Sequence, residues 1–306
     1  MDPKSIYYKK VALLVRVLPW LEKEVCFALK GGTAINLFMR DMPRLSVDID
    51  LAYLPIESRE NSLTHIHEAM MRFADILQKK IPGSVVEPIL LKESGTVYKL
   101  LIRYAGVQIK VEVTPVLRGT VYPSENRTVM PAVEDEFGYA EVQLVSQADL
   151  YGGKICAALD RQHPRDLFDT KLLLENEGVN REMFKAFLVY LISHNRPMSE
   201  LLLPHEKDIA DIFVHHFDGM TRDPVTLDEL LEARRQLVAE IQRQFTADDR
   251  IFLISVKRGD PDWSLIDLPH VKELPAVQWK LKNLENMPEG KHREALERLE
   301  QVLEQF

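Results

Sequence analysis

The chain has 306 residues, a formal net charge of −8 and two cysteines, Cys26 and Cys156. Hydrophobic residues make up 46% and charged residues 28%, which is typical of a globular protein and excludes wholesale disorder. Cysteines this far apart exclude a disulfide framework and a cysteine-based zinc ribbon, and they suit a reducing cytosol. The length favours about two domains. No apolar run approaches the roughly 20 residues that span a bilayer, so we expect a cytoplasmic protein without membrane contact.

The net charge also limits how the chain meets nucleic acid. A mildly acidic protein has no general attraction for polyanions. Any nucleic-acid contact must therefore come from a local basic patch or from active-site chemistry.

Two helices and a strand are predicted in the first 41 residues. Residues 6–24 place apolar side chains near helical spacing, and Pro19 should bend or end that helix. The short apolar run 25–30 leads into a double glycine at a strand-to-helix turn. Residues 33–41 then look helical, with Thr33 as the natural N-cap.

β-rich runs follow as far as residue 114. In residues 45–54, acids alternate with apolar residues, which predicts a strand with Asp48 and Asp50 on one polar edge. Residues 58–80 form an amphipathic helix opened by Ser58. The later β-rich runs are 84–91, 96–104 and 107–114, and Ala105-Gly106 indicates a tight hairpin between the last two.

After residue 145 the pattern becomes helical. The helical segments are 147–161, 164–178, 181–194, 226–246 and 291–306. We therefore predict an α+β fold, with a mixed sheet and helices in a first domain, residues 1–145. A mainly helical domain, residues 146–306, follows.

The segment 29–51, LKGGTAINLFMRDMPRLSVDIDL, carries most of the chemical information. Glycines let a phosphate approach the backbone, and a helix N-terminus offers N–H groups to an anion. Asp48 and Asp50 project from the same face of a strand, where they repel each other unless a cation lies between them. Such oxygen ligands suit Mg²⁺ together with substrate phosphates. Glu112, on a later strand, would complete a two-metal site.

Each feature alone has a simpler interpretation. A double glycine is commonly only a turn, D-x-D is commonly a solvated strand edge, and Glu112 between valines is commonly exposed strand surface. The conjunction is more specific, because its order along the chain matches the nucleotidyltransferase fold of the DNA polymerase beta superfamily.

Two blocks carry a closer resemblance. L-K-G-G-T-A followed by R-x-S-x-D-I-D-L, which runs from Arg44 to Leu51, resembles the AbiEii/AbiGii toxin family of nucleotidyltransferases, which includes the MenT toxins. A second block, residues 149–175, resembles the downstream motifs of that family, a helical lysine followed by R-D-x-x-D. There Lys154 matches the lysine, and Asp166 and Asp169 match the acids.

The resemblance implies a role for each matching residue. The triphosphate would be cradled by Gly31, Gly32 and Thr33. Arg44 and Ser46, which precede the metal acids, would also bind the nucleotide, and Arg44 could reach a phosphate. Two Mg²⁺ ions would be held by Asp48, Asp50 and Glu112, with Glu112 as a third ligand or general base. Lys154 would contact phosphates or orient the nucleotide, and Asp166 would be functional.

Structural interpretations of the same residues remain open. Arg44 could be a surface arginine next to Asp41, and Lys154 an exposed helix lysine. Arg165 and Asp169 could form a helix ion pair, and Asp166 could merely favour the helix dipole.

By resemblance, the chain would be the toxin of a bacterial toxin–antitoxin or abortive-infection pair, with a cognate antitoxin encoded alongside it. It would be a Mg²⁺-dependent enzyme that transfers NMP from an NTP to an acceptor, first of all the tRNA 3′ end, and releases pyrophosphate. The helical domain would contribute nucleotide contacts and bind the acceptor. Basic and aromatic side chains in this domain are candidates for binding the acceptor, but their spacing is the same as on a solvated helix face. They are Arg234, Arg235, Trp279, Lys280 and Lys282. A protein or an aminoglycoside-like acceptor is the alternative, and so is a fold that has lost its chemistry.

Overall fold

The computed structural model describes residues 4–306. Residues 1–3, with which the predicted first domain begins, lie outside the described residues. The chain divides into two compact units. The first unit extends to Ser146 and also takes in Gly219–Pro224, and the second consists of Gln147–Asp218 and Val225–Phe306.

One mixed sheet forms the centre of the first unit. Within the described part of the chain its seven strands are β1 Phe27–Lys30, β2 Asp48–Tyr53, β3 Val85–Leu90, β4 Val97–Tyr104, β5 Val107–Arg118, β6 Glu125–Thr128 and β7 Glu141–Leu144. Their order across the sheet is β3-β4-β5-β2-β1-β7-β6. β2 runs parallel to β5 and β1 runs parallel to β7, whereas the other neighbours are antiparallel. The α+β prediction with a mixed sheet is therefore confirmed.

Helices accompany this sheet. They are α1 Ile6–Val17, α2 Gly31–Ala34, α3 Arg59–Lys80 and α4 Pro131–Phe137, with a 3₁₀ turn at Leu18–Lys23 after α1 and a π-helical segment at Ile35–Met39 after α2. α3 buries a stripe that includes Ile66, Met70, Phe73 and Leu77, which is the i, i+3, i+4 spacing of a helix packed on a core.

Most local signals in this region are confirmed. Ser58 caps α3 by accepting a hydrogen bond from the Asn61 backbone N–H, and the first helix gives way to a 3₁₀ turn containing Pro19. The prediction of Thr33 as an N-cap is wrong. α2 begins two residues earlier, at Gly31, because the left-handed backbone of Gly31 (φ 76°) turns the chain out of β1 directly into the helix.

The short segment 219–224 lies against the chain just before β2. The backbone N–H of Leu45 donates to the Met220 carbonyl at 2.9 Å, and that of Arg222 donates to the Pro43 carbonyl at 2.8 Å. Arg44 and Thr221 form an antiparallel bridge between these two hydrogen bonds. Residues far along the sequence thus belong to the first unit and pair with the segment that leads into β2.

The second unit is helical. Its helices are α5 Gln147–Arg161, α6 Pro164–Asn176, α7 Arg181–Ser193, α8 Met198–Leu202, α9 Ala210–His216, α10 Leu227–Gln244, α11 Ala247–Arg258, α12 Pro275–Glu285 and α13 Glu289–Leu303. The five segments predicted as helical are confirmed, while α8, α9, α11 and α12 were not predicted. None of the helices in residues 4–306 is both long enough and apolar enough to cross a membrane.

Close packing of α5 against α7 explains one of the two glycines in α5. A Cβ built on Gly152 would lie 2.8 Å from the Phe187 backbone nitrogen and 2.9 Å from the Ala186 Cβ. No side chain fits there, so Gly152 allows the two helices to approach each other. This glycine therefore has a packing function.

Candidate active site

The three predicted acids lie on one face of the sheet. Asp50 on β2 is directly opposite Glu112 on the parallel strand β5. Asp48 precedes Asp50 by two residues on the same strand and therefore shares its face. The register between β2 and β5 thus brings together residues that are more than sixty positions apart in the sequence.

These acids differ in their exposure. The side chains of Asp48 and Glu112 are 40% and 29% exposed, whereas Asp50 lies deeper. Burial raises the pKa of Asp50, although the ammonium groups of Lys30 and Lys110 oppose that shift. Burial and the two neighbouring carboxylates disfavour the charged form of Asp50. A cation bound at this face would stabilise that form.

The glycine turn at the start of α2 packs directly against the acids. A Cβ added to Gly31 would lie 2.9 Å from Asp50 Oδ2, and one added to Gly32 would lie 2.7 Å from Arg44 Nη2. Gly31 also has a positive φ, which L side chains rarely adopt. Both glycines are therefore required by close contacts, one with the acid pair and the other with Arg44.

A buried polar cluster holds this turn to β2. The Thr33 Oγ1 lies 2.5 Å from the Asp48 carbonyl oxygen, to which it donates, and 3.0 Å from Ser46 Oγ. Arg44 is 3% exposed, and its Nη1 donates to the Leu45 carbonyl at 3.0 Å. The interpretation of Arg44 as a surface arginine is wrong. Thr33 thus links the glycine turn to the strand that carries the acids, and the side chains of Arg44 and Ser46 lie against Gly32 of the same turn.

Sequence reasoning did not identify three lysines on the same face. They stand opposite the three acids in the cross-strand register, as Lys30 opposite Asp50, Lys110 opposite Asp48 and Lys99 opposite Glu112. The available signal was the alternation in VQIKVEV, which places Lys110 two residues before Glu112 and hence on its face.

Two of these lysines bind the exposed acids. Lys110 Nζ lies 3.0 Å from Glu112 Oε2 and 3.9 Å from Asp48 Oδ2, and Lys99 Nζ lies 3.3 Å from Glu112 Oε2. Burial acts to lower the pKa of Lys110, but the neighbouring carboxylates hold that pKa above its usual value. Lys30 is more enclosed, so burial lowers its pKa against the attraction of Asp50.

The donor set fits Mg²⁺ bound together with a nucleotide. Among residues 4–306 no group of three His, Cys, Asp or Glu side chains is arranged to hold a metal ion, and Glu112 is engaged by lysines. Mg²⁺, however, commonly binds through only one or two carboxylates and takes further oxygens from substrate phosphates. Asp48 and Asp50 supply such a pair next to a glycine turn.

The other predicted residues form a cluster inside the second unit. Lys154 Nζ lies 2.8 Å from Asp166 Oδ1 and 2.9 Å from Asp169 Oδ2, and Arg161 Nη2 lies 2.8 Å from Asp166 Oδ2. Lys154 is 7% exposed and Asp169 is fully buried. The interpretation of Lys154 as an exposed helix lysine is therefore wrong. Burial acts to raise the pKa of Asp166, but the Lys154 and Arg161 cations bring it below its usual value.

The basic residues considered for acceptor binding have different surroundings. Arg234 is buried and pairs with Glu206 at 2.8 Å, and Lys280 Nζ donates to the His194 carbonyl at 2.7 Å. Trp279 is 54% exposed.

His163 caps α6 by accepting from the Arg165 backbone N–H, which gives this histidine a structural role.

A mixed sheet that carries paired carboxylates on one strand, packed against a glycine turn at a helix start, defines the class of nucleotidyltransferases. A family model described as "Nucleotidyl transferase AbiEii toxin, Type IV TA system" matches residues 12–283. The chain therefore belongs to the AbiEii family of nucleotidyltransferase toxins from type IV toxin–antitoxin systems.

A solved structure has the same fold. MenT4, a nucleotidyltransferase toxin from Mycobacterium tuberculosis, superposes with a TM-score of 0.61 at 17% sequence identity, over 91% of this chain and 93% of that one. No curated protein matches the sequence significantly. Membership of the family implies an NTP substrate and an antitoxin partner, and nucleotidyltransferases generally use divalent metal ions.

Proposed function

We propose that this chain, acting in the bacterial cytoplasm, transfers a nucleoside monophosphate from an NTP to the 3′ end of tRNA in a Mg²⁺-dependent reaction. The observation that carries the proposal is the placement of Asp48, Asp50 and Glu112 on one sheet face against the turn at Gly31 and Gly32. The tRNA acceptor rests on the resemblance to relatives that modify tRNA.

The proposed reaction is a displacement at the α-phosphorus. A terminal hydroxyl oxygen of the acceptor forms the new P–O bond, the bond from the α-phosphorus to the bridging oxygen breaks, and pyrophosphate leaves with that oxygen. Asp48 and Asp50 would hold Mg²⁺, which neutralises charge on the phosphates when bound. Glu112 would serve as a third ligand or accept the proton of the attacking hydroxyl.

Positioning is the main contribution of the chain itself. The α2 N-terminus presents backbone N–H groups from Gly31 onward, in a place that no side-chain cap occupies, and such N–H groups bind phosphate oxygens well. The hydrogen bond from Thr33 to the Asp48 carbonyl fixes this turn relative to the acids. The buried side chains of Arg44 and Ser46 lie against Gly32 and leave little room for a side chain there.

Lys154 and Asp166 would act as positioning residues. Their charged groups bind each other and Asp169 inside the second unit, which supports a role in fixing α5 relative to α6. The family resemblance also implies a direct contact from Lys154 to the nucleotide, and combining Lys154→Met with Asp169→Asn distinguishes this contact from a structural role.

The test uses α-³²P-labelled NTPs, each incubated with Mg²⁺ and either total tRNA, total protein or an aminoglycoside. Wild type is compared with Asp50→Asn and with Asp75→Asn, which makes the same change at an exposed position on α3. We expect wild type and Asp75→Asn to label tRNA 3′ ends, and Asp50→Asn to be slower by about 10³-fold.

Three results would contradict parts of the proposal. Equal labelling by Asp50→Asn and wild type would remove the acids from the site. Label on protein or on the aminoglycoside, but not on RNA, would reject the tRNA acceptor. Full activity in EDTA would reject the metal.

A further inference from the structure

Lysines and acids alternate across the active-site face so that its charges balance. Each of the three acids stands opposite one lysine in the strand register. Without these lysines, three carboxylates on one face would repel each other strongly, more so because Asp50 lies deep. The lysines therefore supply, in the metal-free protein, part of the positive charge that a bound cation would supply.

Lys110 differs from the other two lysines in its position. Its Nζ lies between acids on neighbouring strands, 3.0 Å from Glu112 Oε2 and 3.9 Å from Asp48 Oδ2. Lys99, by contrast, forms an ion pair with Glu112 but none with Asp48 in the described part of the chain, and Lys30 donates to Thr114 Oγ1 at 3.1 Å. Of these three lysines, Lys110 is thus the one whose ammonium stands where a cation shared by Asp48 and Glu112 would stand.

Such a position makes metal and lysine mutually exclusive. Mg²⁺ needs its ligand oxygens at about 2.0–2.1 Å. An ammonium group in contact with the same oxygens both blocks the approach of a divalent cation and repels it. The Lys110 side chain is 32% exposed and has a flexible four-carbon stem, so it can leave this position without disturbing the core.

We propose that Lys110 acts as a counter-ion and competes with divalent cations for Asp48 and Glu112. This inference rests on the proposed metal site. Lys110 therefore sets the metal concentration at which the nucleotide-free protein fills its site. The three acids remain neutralised when metal is scarce, and the site accepts a divalent ion only as the ammonium of Lys110 moves away.

The test measures Mn²⁺ binding to the nucleotide-free full chain by electron paramagnetic resonance. Lys110→Met should bind Mn²⁺ about tenfold more tightly than wild type, because a unit positive charge in contact with the ligands is removed. Lys110→Arg, which keeps the charge, should bind like wild type. Lys171→Met removes a lysine from an exposed helix pair in the second unit and should change nothing, while Lys99→Met should show a smaller gain than Lys110→Met.

Thermal unfolding gives a second readout that does not depend on activity. Metal-free Lys110→Met should melt below wild type, since its carboxylates repel each other, and Mn²⁺ should raise its melting temperature more than that of wild type. If Lys110→Met does not fold, Lys110→Gln provides the same loss of charge with a polar side chain.

The outcomes separate this inference from the proposed function. Mn²⁺ binding that is unchanged or weaker in both neutral Lys110 variants, but lost in Asp50→Asn, would overturn the inference and leave the metal site standing. Mn²⁺ binding that is the same in Asp50→Asn, Asp48→Asn and wild type would remove the proposed metal site itself.

Discussion

The two units each contain a cluster of lysine and acidic side chains, yet the surroundings of the two clusters differ. In the first unit Asp48, Glu112 and Lys110 stand on a sheet face with between 29% and 40% of each side chain exposed. In the second unit Lys154 and Asp169 are almost entirely enclosed by helices, with 7% and 0% exposed.

Because of this difference in burial, the same residue types have different roles in the two clusters. Breaking a buried ion pair leaves an uncompensated charge in a medium of low polarity, which is strongly destabilising. An exposed pair is worth little, because water solvates either partner when the other leaves. The second cluster therefore stabilises the packing of its helices, whereas the first can exchange its ion-pair partners for a ligand.

The largest effect is expected from Lys154→Met. Two carboxylates would lose their shared lysine in the interior, so the free energy of unfolding should fall by about 3–5 kcal/mol. Equilibrium denaturation followed by circular dichroism measures this change. A variant as stable as wild type would show that the cluster does not hold the second unit together.

Adding Asp169→Asn to Lys154→Met sharpens the result. It removes the charge of the fully buried carboxylate that shared this lysine, and most of the lost stability should return. If transfer activity returns with it, Lys154 acts through the fold. If stability returns and transfer does not, Lys154 contacts the nucleotide as the family resemblance implies.

A smaller effect is expected from Gly31→Ala on the exposed face. The left-handed backbone alone should lower stability by about 1–2 kcal/mol, and the new Cβ would press on Asp50 Oδ2. Displacing this carboxylate should slow NMP transfer about 100-fold. Gly106→Ala is the matched control, since Gly106 has φ 78° and no atom within 4 Å of its added Cβ.

Both glycine variants should thus lose similar stability, and only Gly31→Ala should lose activity. Equal loss of activity in both variants would show that the effect arises from backbone strain. The contact between the glycine turn and Asp50 would then not contribute to activity.

The last expected effect is the pH dependence of stability in Asp166→Asn. Because the folded-state pKa of Asp166 is lowered, its carboxylate stabilises the fold above its unfolded-state pKa of about 3.9, and this contribution disappears as the pH falls through the lower folded-state value. Asp166→Asn should therefore be less stable than wild type by roughly 1–3 kcal/mol at neutral pH. The gap should close on acidification, whereas exposed Asp75→Asn should show no such gap. A constant gap down to pH 3 would contradict the ion-pair origin.

Much of the fold was accessible from the sequence because its signals are local. The alternation of acids and apolar residues placed Asp48 and Asp50 on one face of a strand, Ser58 marked the start of α3, and Ala105-Gly106 marked a hairpin. The proposed site roles of Asp48, Asp50 and Glu112 rest on that order of elements and stay predictions until the variants are measured.

The remaining features depend on distant parts of the chain. Nothing local states how β2 pairs with β1 and β5, so Lys30 and Lys110, which face its two acids, were missed. The burial of Lys154 is set by helices around it, so a lysine in a helical pattern was interpreted as either exposed or phosphate-binding. α8 and α9 are too short for a periodic signal, and β6 (ENRT) is polar along its length.

The hydrogen bonds from residues 219–224 to the chain before β2 have a consequence for biosynthesis. Domains commonly fold in order as the ribosome extends the chain, but here the residues beside Arg44 gain their partners Met220 and Arg222 only after Gln147–Asp218, the first part of the helical unit, has been translated. The polypeptide that first leaves the exit tunnel therefore lacks a finished first unit. A nascent toxin of this architecture completes that unit late in its own synthesis.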